Sequence, residues 1–332
     1  MGPAPGLLSC RGPAVADPMR VLVTGASGFV GRALCDYLHS DVRLSALVRT
    51  AAAVEALRRR GIAATRLDGL TADGEIPAEL LDVDVLVHLA AQVHVMAADG
   101  AAQAAHERIN HQATLNLARQ AAAAGVRRLV YLSSIKVNGE RTRGVPFSAS
   151  SPADPQDSYA QSKWRAEQGL LALAHSSGME VVIIRPPLVY GPGVKANFAQ
   201  LVRWVRRGVP LPLAGVANRR ALVSVFNLCD LIRCCLRHPA AAGQVLLVSD
   251  GESISTPTLC RRIAAAAEIK IRLFFVPPWL LSAAAALLGK SAAVARLTED
   301  LEVDISATQQ LLQWRPPHGM ATTLQKIIES ER

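Results

Sequence analysis

The chain has 332 residues, 50% of them apolar and only 4% aromatic, with 36 lysines and arginines against 27 aspartates and glutamates. That suits one large α/β domain, or a nucleotide-binding domain with a smaller lobe, and excludes a disordered chain. The formal net charge of +9 is divided among separate clusters such as Arg58-Arg59-Arg60 and Arg219-Arg220, without a zinc-finger, basic-zipper or RNA-recognition pattern, so nucleic acid is not an expected partner.

Residues 1–18 are rich in Pro, Gly and Ala and lack the apolar core of a signal peptide. They read as a disordered N-terminal extension, with Met19 as an alternative start. From there β-branched runs at 20–24, 43–48, 83–89, 128–133 and 181–185 alternate with helical spacing at 31–39, 51–60, 105–124 and 159–176. That rhythm predicts an α/β fold, a doubly wound parallel sheet of Rossmann type over 19–190. After Gly191-Pro192-Gly193 the alternation breaks up at prolines 210, 212, 239, 257, 277 and 278, which predicts a smaller C-terminal lobe over 191–332, mainly for substrate. Within it the apolar stretch 276–288 is too short to span a bilayer and is expected to form a buried helix.

Cys10, Cys35, Cys229, Cys234, Cys235 and Cys260 show no CxxC pair and no metal-ligand spacing. They are expected to be buried free thiols of a cytoplasmic protein, with no metal site.

Between the first strand and first helix lie Gly25, Gly28 and Gly31. The first permits a tight turn, the second lets a pyrophosphate approach the backbone, and the third lets helix and strand pack closely. The helix start, across Ser27, Phe29 and Val30, would offer free N–H groups to phosphate. An acid is expected about 20 residues on to hold an adenosine ribose. The second strand ends instead in Leu47-Val48-Arg49, and an arginine there tilts the expected cofactor from NAD(H) towards NADP(H); the plainer alternative is a solvated charge.

Tyr159 and Lys163 are four apart and share a helix face. An ammonium beside a phenol is expected to lower the tyrosine pKa, so that a proton can pass to or from a carbonyl oxygen. Ser134 stands at the end of a preceding strand, where parallel sheets keep their sites.

Together with the glycine turn, Ser134, Tyr159 and Lys163 resemble the catalytic triad of the short-chain dehydrogenase/reductase superfamily. The Gly-x-x-Gly-x-x-Gly spacing, His88-Leu-Ala-Ala91, Asn110 and Arg185-Pro-Pro-Leu-Val-Tyr-Gly-Pro192 resemble its extended branch, the nucleotide-sugar epimerases, dehydratases and reductases. More narrowly, Leu132-Ser-Ser-Ile-Lys-Val-Asn-Gly139, Gly193-Val-Lys-Ala-Asn-Phe198, Asn218-Arg-Arg220 and Ser249-Asp-Gly-Glu252 look like bacterial 4-reductases and 4-epimerases of O-antigen sugar synthesis. The resemblance implies a UDP-sugar substrate. Ser134 would bond the sugar C4 oxygen, Tyr159 would act as acid and base, and Lys163 would hold the nicotinamide ribose. Leu70, Leu89, Ala90, Ala91, Asn110, Ser133 and Pro186 would join the cofactor site. Lys136, Asn197 and Arg220 would meet substrate, Arg220 at a diphosphate oxygen. It also implies a homodimer through helices 105–124 and 159–176.

Four departures bear on the reaction. Ile135 and Lys136 stand where dehydratases have an Asp-Glu pair, so dehydration is not expected. Leu188 replaces an asparagine common in epimerases, Asn138 replaces the tyrosine of Val-Tyr-Gly, and Asp68-Gly69-Leu70 replaces Gly-Asp-Leu. The expected activity is reduction of a UDP-4-keto-6-deoxy-N-acetylhexosamine at C4 or 4-epimerisation of a UDP-hexose, with the balance towards the reductase. The rivals are a ketone reductase with an apolar pocket built from Phe198, Trp204 and the 276–288 helix, and a non-catalytic dinucleotide sensor.

Overall fold

Val21 to Thr24, Val85 to His88 and Val181 to Arg185 are runs in which every residue is buried, as strands covered on both faces require. In the computed structural model, which describes residues 18–93, 99–287 and 291–331, they form the middle of a seven-stranded parallel sheet. Its strands are β1 (Arg20–Thr24), β2 (Arg43–Val48), β3 (Ala63–Arg66), β4 (Val85–His88), β5 (Arg128–Leu132), β6 (Glu180–Arg185) and β9 (Val245–Leu247), in the order β3-β2-β1-β4-β5-β6-β9. The order reverses between β1 and β4, where Thr24 lies beside His88 at the carboxyl ends. Such a switch point opens the crevice in which these sheets bind ligands.

Helices α1 (Phe29–Leu38), α2 (Ala51–Arg58), α4 (Ala113–Ala123), α5 (Ser158–Ser177) and α7 (Val225–Arg237) accompany the sheet. Gly31 is a steric necessity: a Cβ there would run into the Gly25 carbonyl and lie 2.7 Å from Ala26 Cα. The remaining strands β7 (Leu188–Tyr190), β8 (Arg220–Ser224) and β10 (Ser253–Ile254) make a three-stranded sheet in the second lobe. Helices α6 (Ala196–Arg206), α8 (Thr256–Ala266) and α12 (Met320–Ser330) enclose a second core around Val202, Ile263 and Leu324. Two short helices, α10 (Ser291–Thr298) and α11 (Ser306–Leu312), precede α12 in the chain.

Several expectations are corrected. The nucleotide unit does not end at residue 190: β9 completes its sheet, pairing Ile183 with Val245, and α7 shares a core with α1 through Leu228, Cys229 and Ile232. β6 would otherwise leave an open edge, and the chain returns to cover it. Strand β3 was illegible because only Ala64 of its four residues is buried. The 105–124 helix is divided into α3 (Asp99–His106), a π-helical turn at Glu107–Gln112 and α4, and the wide turn carries Asn110 into the interior. The apolar helix α9 (Pro278–Leu287) is not buried. Trp279, Leu280 and Leu287 are exposed, and only Leu281 is seen packed on the second core. A segment apolar all round has no polar side to turn outward once one residue is docked.

Cys35, Cys229, Cys234, Cys235 and Cys260 are buried free thiols; Cys10 and the 1–17 segment lie outside the described residues. No helix of the described residues is long and apolar enough to cross a membrane.

Gly31→Ala is expected to destabilise the fold by about 1–3 kcal/mol through overpacking against β1's end. The check is a lower urea midpoint at unchanged slope.

Candidate active site

The glycine turn closes tightly because Gly25 has φ +74°, and a Cβ there would lie 2.7 Å from Ala90 N. The turn is thereby pressed against the Leu89-Ala90 segment leaving β4. Gly28 is different. Its φ of −73° suits any residue, and a Cβ would meet only the Gly25 carbonyl, at 3.1 Å. The fold demands little of this glycine, whereas a ligand approaching the backbone would. Gly28 caps α1 without a side-chain hydrogen bond, and the first helical turn carries no acid. The N–H groups of Ser27, Phe29, Val30 and Gly31 donate to no acceptor among the described residues. Unpaired donors at a helix start form a seat for an anion, and these residues fit a dinucleotide pyrophosphate. Helix α1 begins at Phe29, so Ser27 precedes it.

Asp157 caps α5 by accepting from Ala160 N at 2.7 Å, which places Tyr159 in the first helical turn and Lys163 one turn on. Ser134 follows β5. Its hydroxyl accepts from Lys136 N at 3.2 Å. Two ties close the strand end against the helix. Lys163 Nζ donates to the Leu132 carbonyl at 2.8 Å, and Lys136 Nζ reaches Asp157 Oδ2 at 2.5 Å. Each tie joins residues two positions from Ser134 to α5, so the structure brings the three expected catalytic residues to one crevice. The Tyr159 hydroxyl makes no hydrogen bond among the described residues, while its ring meets His106 edge-on at 5.9 Å. A cavity of about 730 Å³ lies alongside, bounded by Asn138, Glu140, Arg141, Phe147, Asp154 and Glu299.

The electrostatics correct one expectation. Burial, helped by the Asp157 charge, raises the Tyr159 pKa above the ordinary tyrosine value. Lys163 does not lower it. Burial instead pushes the Lys163 ammonium down to about 7, against the opposing pull of Glu167, and Nζ lies 4.4 Å from the centre of the Tyr131 ring. Tyr159 is therefore a neutral phenol near pH 7, ready to donate a proton.

Glu167, which no sequence pattern marked, and several residues marked only as motif members hold this arrangement. Glu167, with no exposed surface, receives the Arg185 guanidinium through Nε and Nη2 and the Ser133 hydroxyl; Arg185 Nη1 also donates to Asn138 Oδ1 at 3.0 Å. His88 bridges Thr24 at 2.6 Å and Thr114 at 2.9 Å, and burial with the Lys163 charge pushes its pKa down to about 3, keeping it neutral. Asn110 clamps the backbone of Gln92, accepting its N–H at 2.7 Å and donating to its carbonyl at 2.9 Å, and donates to Ser162. Glu167 lies one turn beyond Lys163, and that spacing was the available signal.

Other expected site residues are placed as follows. Leu89, Ala90 and Ala91 are half-buried beside the glycine turn, and Pro186 is buried with its carbonyl accepting from Ile135 N. Leu70 packs against the sheet core, and Asp68 pairs with Arg66 instead of turning inward. Arg49 is exposed immediately after β2. Asn197 is exposed in the first turn of α6. Three of the expected residues have protein partners. Ser133 spends its hydroxyl on Glu167, Asn110 spends its amide on Gln92 and Ser162, and Lys136 is committed to Asp157 and Glu140. Arg220 is half-buried with Nη1 on the Glu299 carbonyl at 3.0 Å.

The family model described as "NAD dependent epimerase/dehydratase family" matches residues 21–248. The chain belongs to that family. A Vibrio cholerae protein named UDP-glucose 4-epimerase is 42% identical over 322 residues, covering 94% of this chain and 97% of its own. Two solved structures show the same fold. The UDP-glucuronic acid 4-epimerase of Bacillus cereus in complex with NAD has a TM-score of 0.75 at 20% identity, covering 94% of this chain and 96% of that one. The RMD protein of Pseudomonas aeruginosa complexed with NADPH has a TM-score of 0.70 at 24% identity, covering 94% and 98%.

Lys163→Met separates the charge from the packing. The folded pKa of this lysine lies below its ordinary value, so holding the ammonium costs stability. That cost is absent at pH well above 10, grows as pH falls towards 7, and is full below 7. Urea midpoints should therefore show the variant gaining on the wild type as pH falls from 10 to 6.5, on top of a constant loss from the freed Leu132 carbonyl. A difference that does not vary with pH contradicts the burial of a strained ammonium.

Proposed function

We propose that the chain is a nicotinamide-dependent nucleotide-sugar enzyme that epimerises C4 of a UDP-hexose by transient oxidation. The observation that carries this reading is the 42% identity, over nearly the whole of both chains, to the protein named UDP-glucose 4-epimerase. The ties that hold α5, with Tyr159 and Lys163, against the end of β5 next to Ser134 support it.

In this reading Ser134 bonds the C4 oxygen and Tyr159 removes its proton. The bound dinucleotide supplies the acceptor and later the donor of the C4 hydride. After the 4-keto sugar turns over, Tyr159 returns the proton to the oxygen. Lys163, held between the Leu132 carbonyl and the Tyr131 ring, meets the nicotinamide ribose in this reading. Ser27, Gly28, Phe29, Val30 and Gly31 receive the pyrophosphate, and Arg220 meets the substrate diphosphate. Asn197 faces solvent at the rim and contacts the sugar from there. Arg49, exposed at the second strand end, is the residue on which a preference for NADP(H) over NAD(H) rests. The buried free thiols fit a reducing cytoplasm, and α4 with α5, closely packed where Gly169 faces Leu115, offers a homodimer surface.

A second reading, reduction of a UDP-4-keto-6-deoxy-N-acetylhexosamine, is favoured by one observation. Leu188, an exposed apolar residue, stands where epimerases commonly carry an asparagine. The apolar ketone pocket is less well supported. Phe198 is buried against Tyr190 with rings 5.5 Å apart, while Trp204 and α9 face outward.

The test is to incubate purified protein with UDP-glucose without added cofactor, and separately with UDP-4-keto-6-deoxy-N-acetylglucosamine and NADH or NADPH. Formation of UDP-galactose without net cofactor consumption is the expected result; product only with stoichiometric oxidation of the reduced cofactor moves the assignment to the reductase. Tyr159→Phe should lower turnover by about a hundredfold or more, as loss of a general acid does, without changing the melting temperature, because the hydroxyl holds no protein partner among the described residues. Turnover within a factor of a few of wild type contradicts the role given to Tyr159.

A further inference from the structure

On the second lobe, far along α6 from its substrate end, exposed apolar side chains gather where the chain has no evident need of them. Trp204 and Val209 flank the end of α6, joined by the Val209 N–H to Trp204 carbonyl bond at 3.1 Å. Leu211 pairs with Leu273, and this short ladder brings the exposed Phe274 beside the chain that leaves α6, with Phe275 next in sequence. Phe275 crosses Gly215, where a Cβ would lie 2.8 Å from its ring, and is still 69% exposed. Trp279, 70% exposed, and Leu280 follow on α9.

Around them stand Arg203, Arg207, Lys270 and Arg272, all exposed and without ion-pair or hydrogen-bond partners on their side chains among the described residues. Arg206, between them, is tied to Glu331 at 2.6 Å. Glu268 is the acid next to Lys270 in sequence, and the balance stays positive.

We propose that this face seats the protein on the surface of an anionic lipid bilayer, with the aromatic and leucine side chains at headgroup level and the four cations on the phosphates. Three observations select this occupant. Tryptophan and phenylalanine bordered by unpaired arginine and lysine form the chemistry of an interfacial contact. Helix α9, Pro278–Leu287, carries no charged residue in its sequence PWLLSAAAAL, so it can rest in the interface, while no helix of the described residues is long and apolar enough to cross. A second copy of the chain fits poorly, because an isologous contact would bring the four cations of one protomer towards those of the other. The contact does not depend on the sugar reading, since none of these residues belongs to the catalytic or binding machinery.

The experiment is flotation of the full chain with vesicles of phosphatidylglycerol and phosphatidylethanolamine, and with vesicles of phosphatidylcholine alone, at low and high salt. Anionic vesicles should carry more than about tenfold more protein than neutral ones at low salt, and high salt should reduce the difference. The double variant Phe275→Ser/Trp279→Ser and the double variant Lys270→Glu/Arg272→Glu should each lose most of the binding, with melting temperature and turnover of the soluble substrate unchanged. Absence of flotation, equal flotation with neutral vesicles, or variants that bind like wild type would each overturn the proposal. So would a wild-type dimer, seen by sedimentation equilibrium, that both variants dissociate while their flotation stays at the wild-type level.

Discussion

The buried ion pair between Arg185 and Glu167 is the constraint on which the catalytic crevice depends. Glu167 has no exposed surface and Arg185 almost none, so each charge can be kept only by the other and by the hydrogen bonds around them. Removing either partner would leave an uncompensated buried charge, at a cost of about 3–5 kcal/mol. The pair joins helix α5 to strand β6, and the Ser133 hydroxyl brings in the end of β5. Ser134 therefore leaves the sheet from a point already fastened on its amino side. Lys163, one helical turn before Glu167, then has one accessible partner, the Leu132 carbonyl. The placement of these candidate residues rests on a carboxylate with no exposed surface.

The same pair accounts for a departure in the motif after Ser134. The third donor of the Arg185 guanidinium group in this network goes to the Asn138 amide oxygen, whose own Nδ2 holds the Ser151 carbonyl at 3.2 Å. Asparagine at this position is thus a structural link from the strand end to the loop that bounds the neighbouring cavity. Lys136 acts in parallel. Committed to Asp157 and Glu140, it stabilises the cap of α5 and thereby the first-turn position of Tyr159. Of the residues that distinguish this segment from the dehydratase and Val-Tyr-Gly patterns, Lys136 ties it to the cap of α5 and Asn138 ties it to β6 and the Ser151 loop.

Strands with unbroken apolar runs, the glycine turn and the Tyr159/Lys163 spacing were legible because each is a local pattern with a local cause. What escaped was non-local. The return of β9 to the sheet depends on an open edge of β6 more than 50 residues earlier, and three residues of Val245–Leu247 carry no periodicity of their own. The π-helical turn at Glu107–Gln112 is invisible in apolar spacing, and the partners of Asn110 lie in the Gln92 backbone and on α5. The protein partners of Ser133, Asn110 and Lys136 were likewise out of view, because each lies on a distant part of the chain or across a turn. The 276–288 segment failed in the opposite sense. Its apolar character was clear, but whether such a segment finds a core or a surface is decided by the space left by its neighbours.

The tyrosine carries the most consequential revision. A lysine four residues on was expected to lower its pKa directly, yet Lys163 is itself driven down to about 7 by burial and donates to a main-chain carbonyl. Burial favours the neutral form of both groups, holding the phenol above and the ammonium below its ordinary value. The phenol is therefore a proton donor in its resting form. The glycine turn enters here, because Gly25, pressed on Ala90, and Gly28, which the fold alone hardly requires, determine how closely a charged dinucleotide could approach the same crevice.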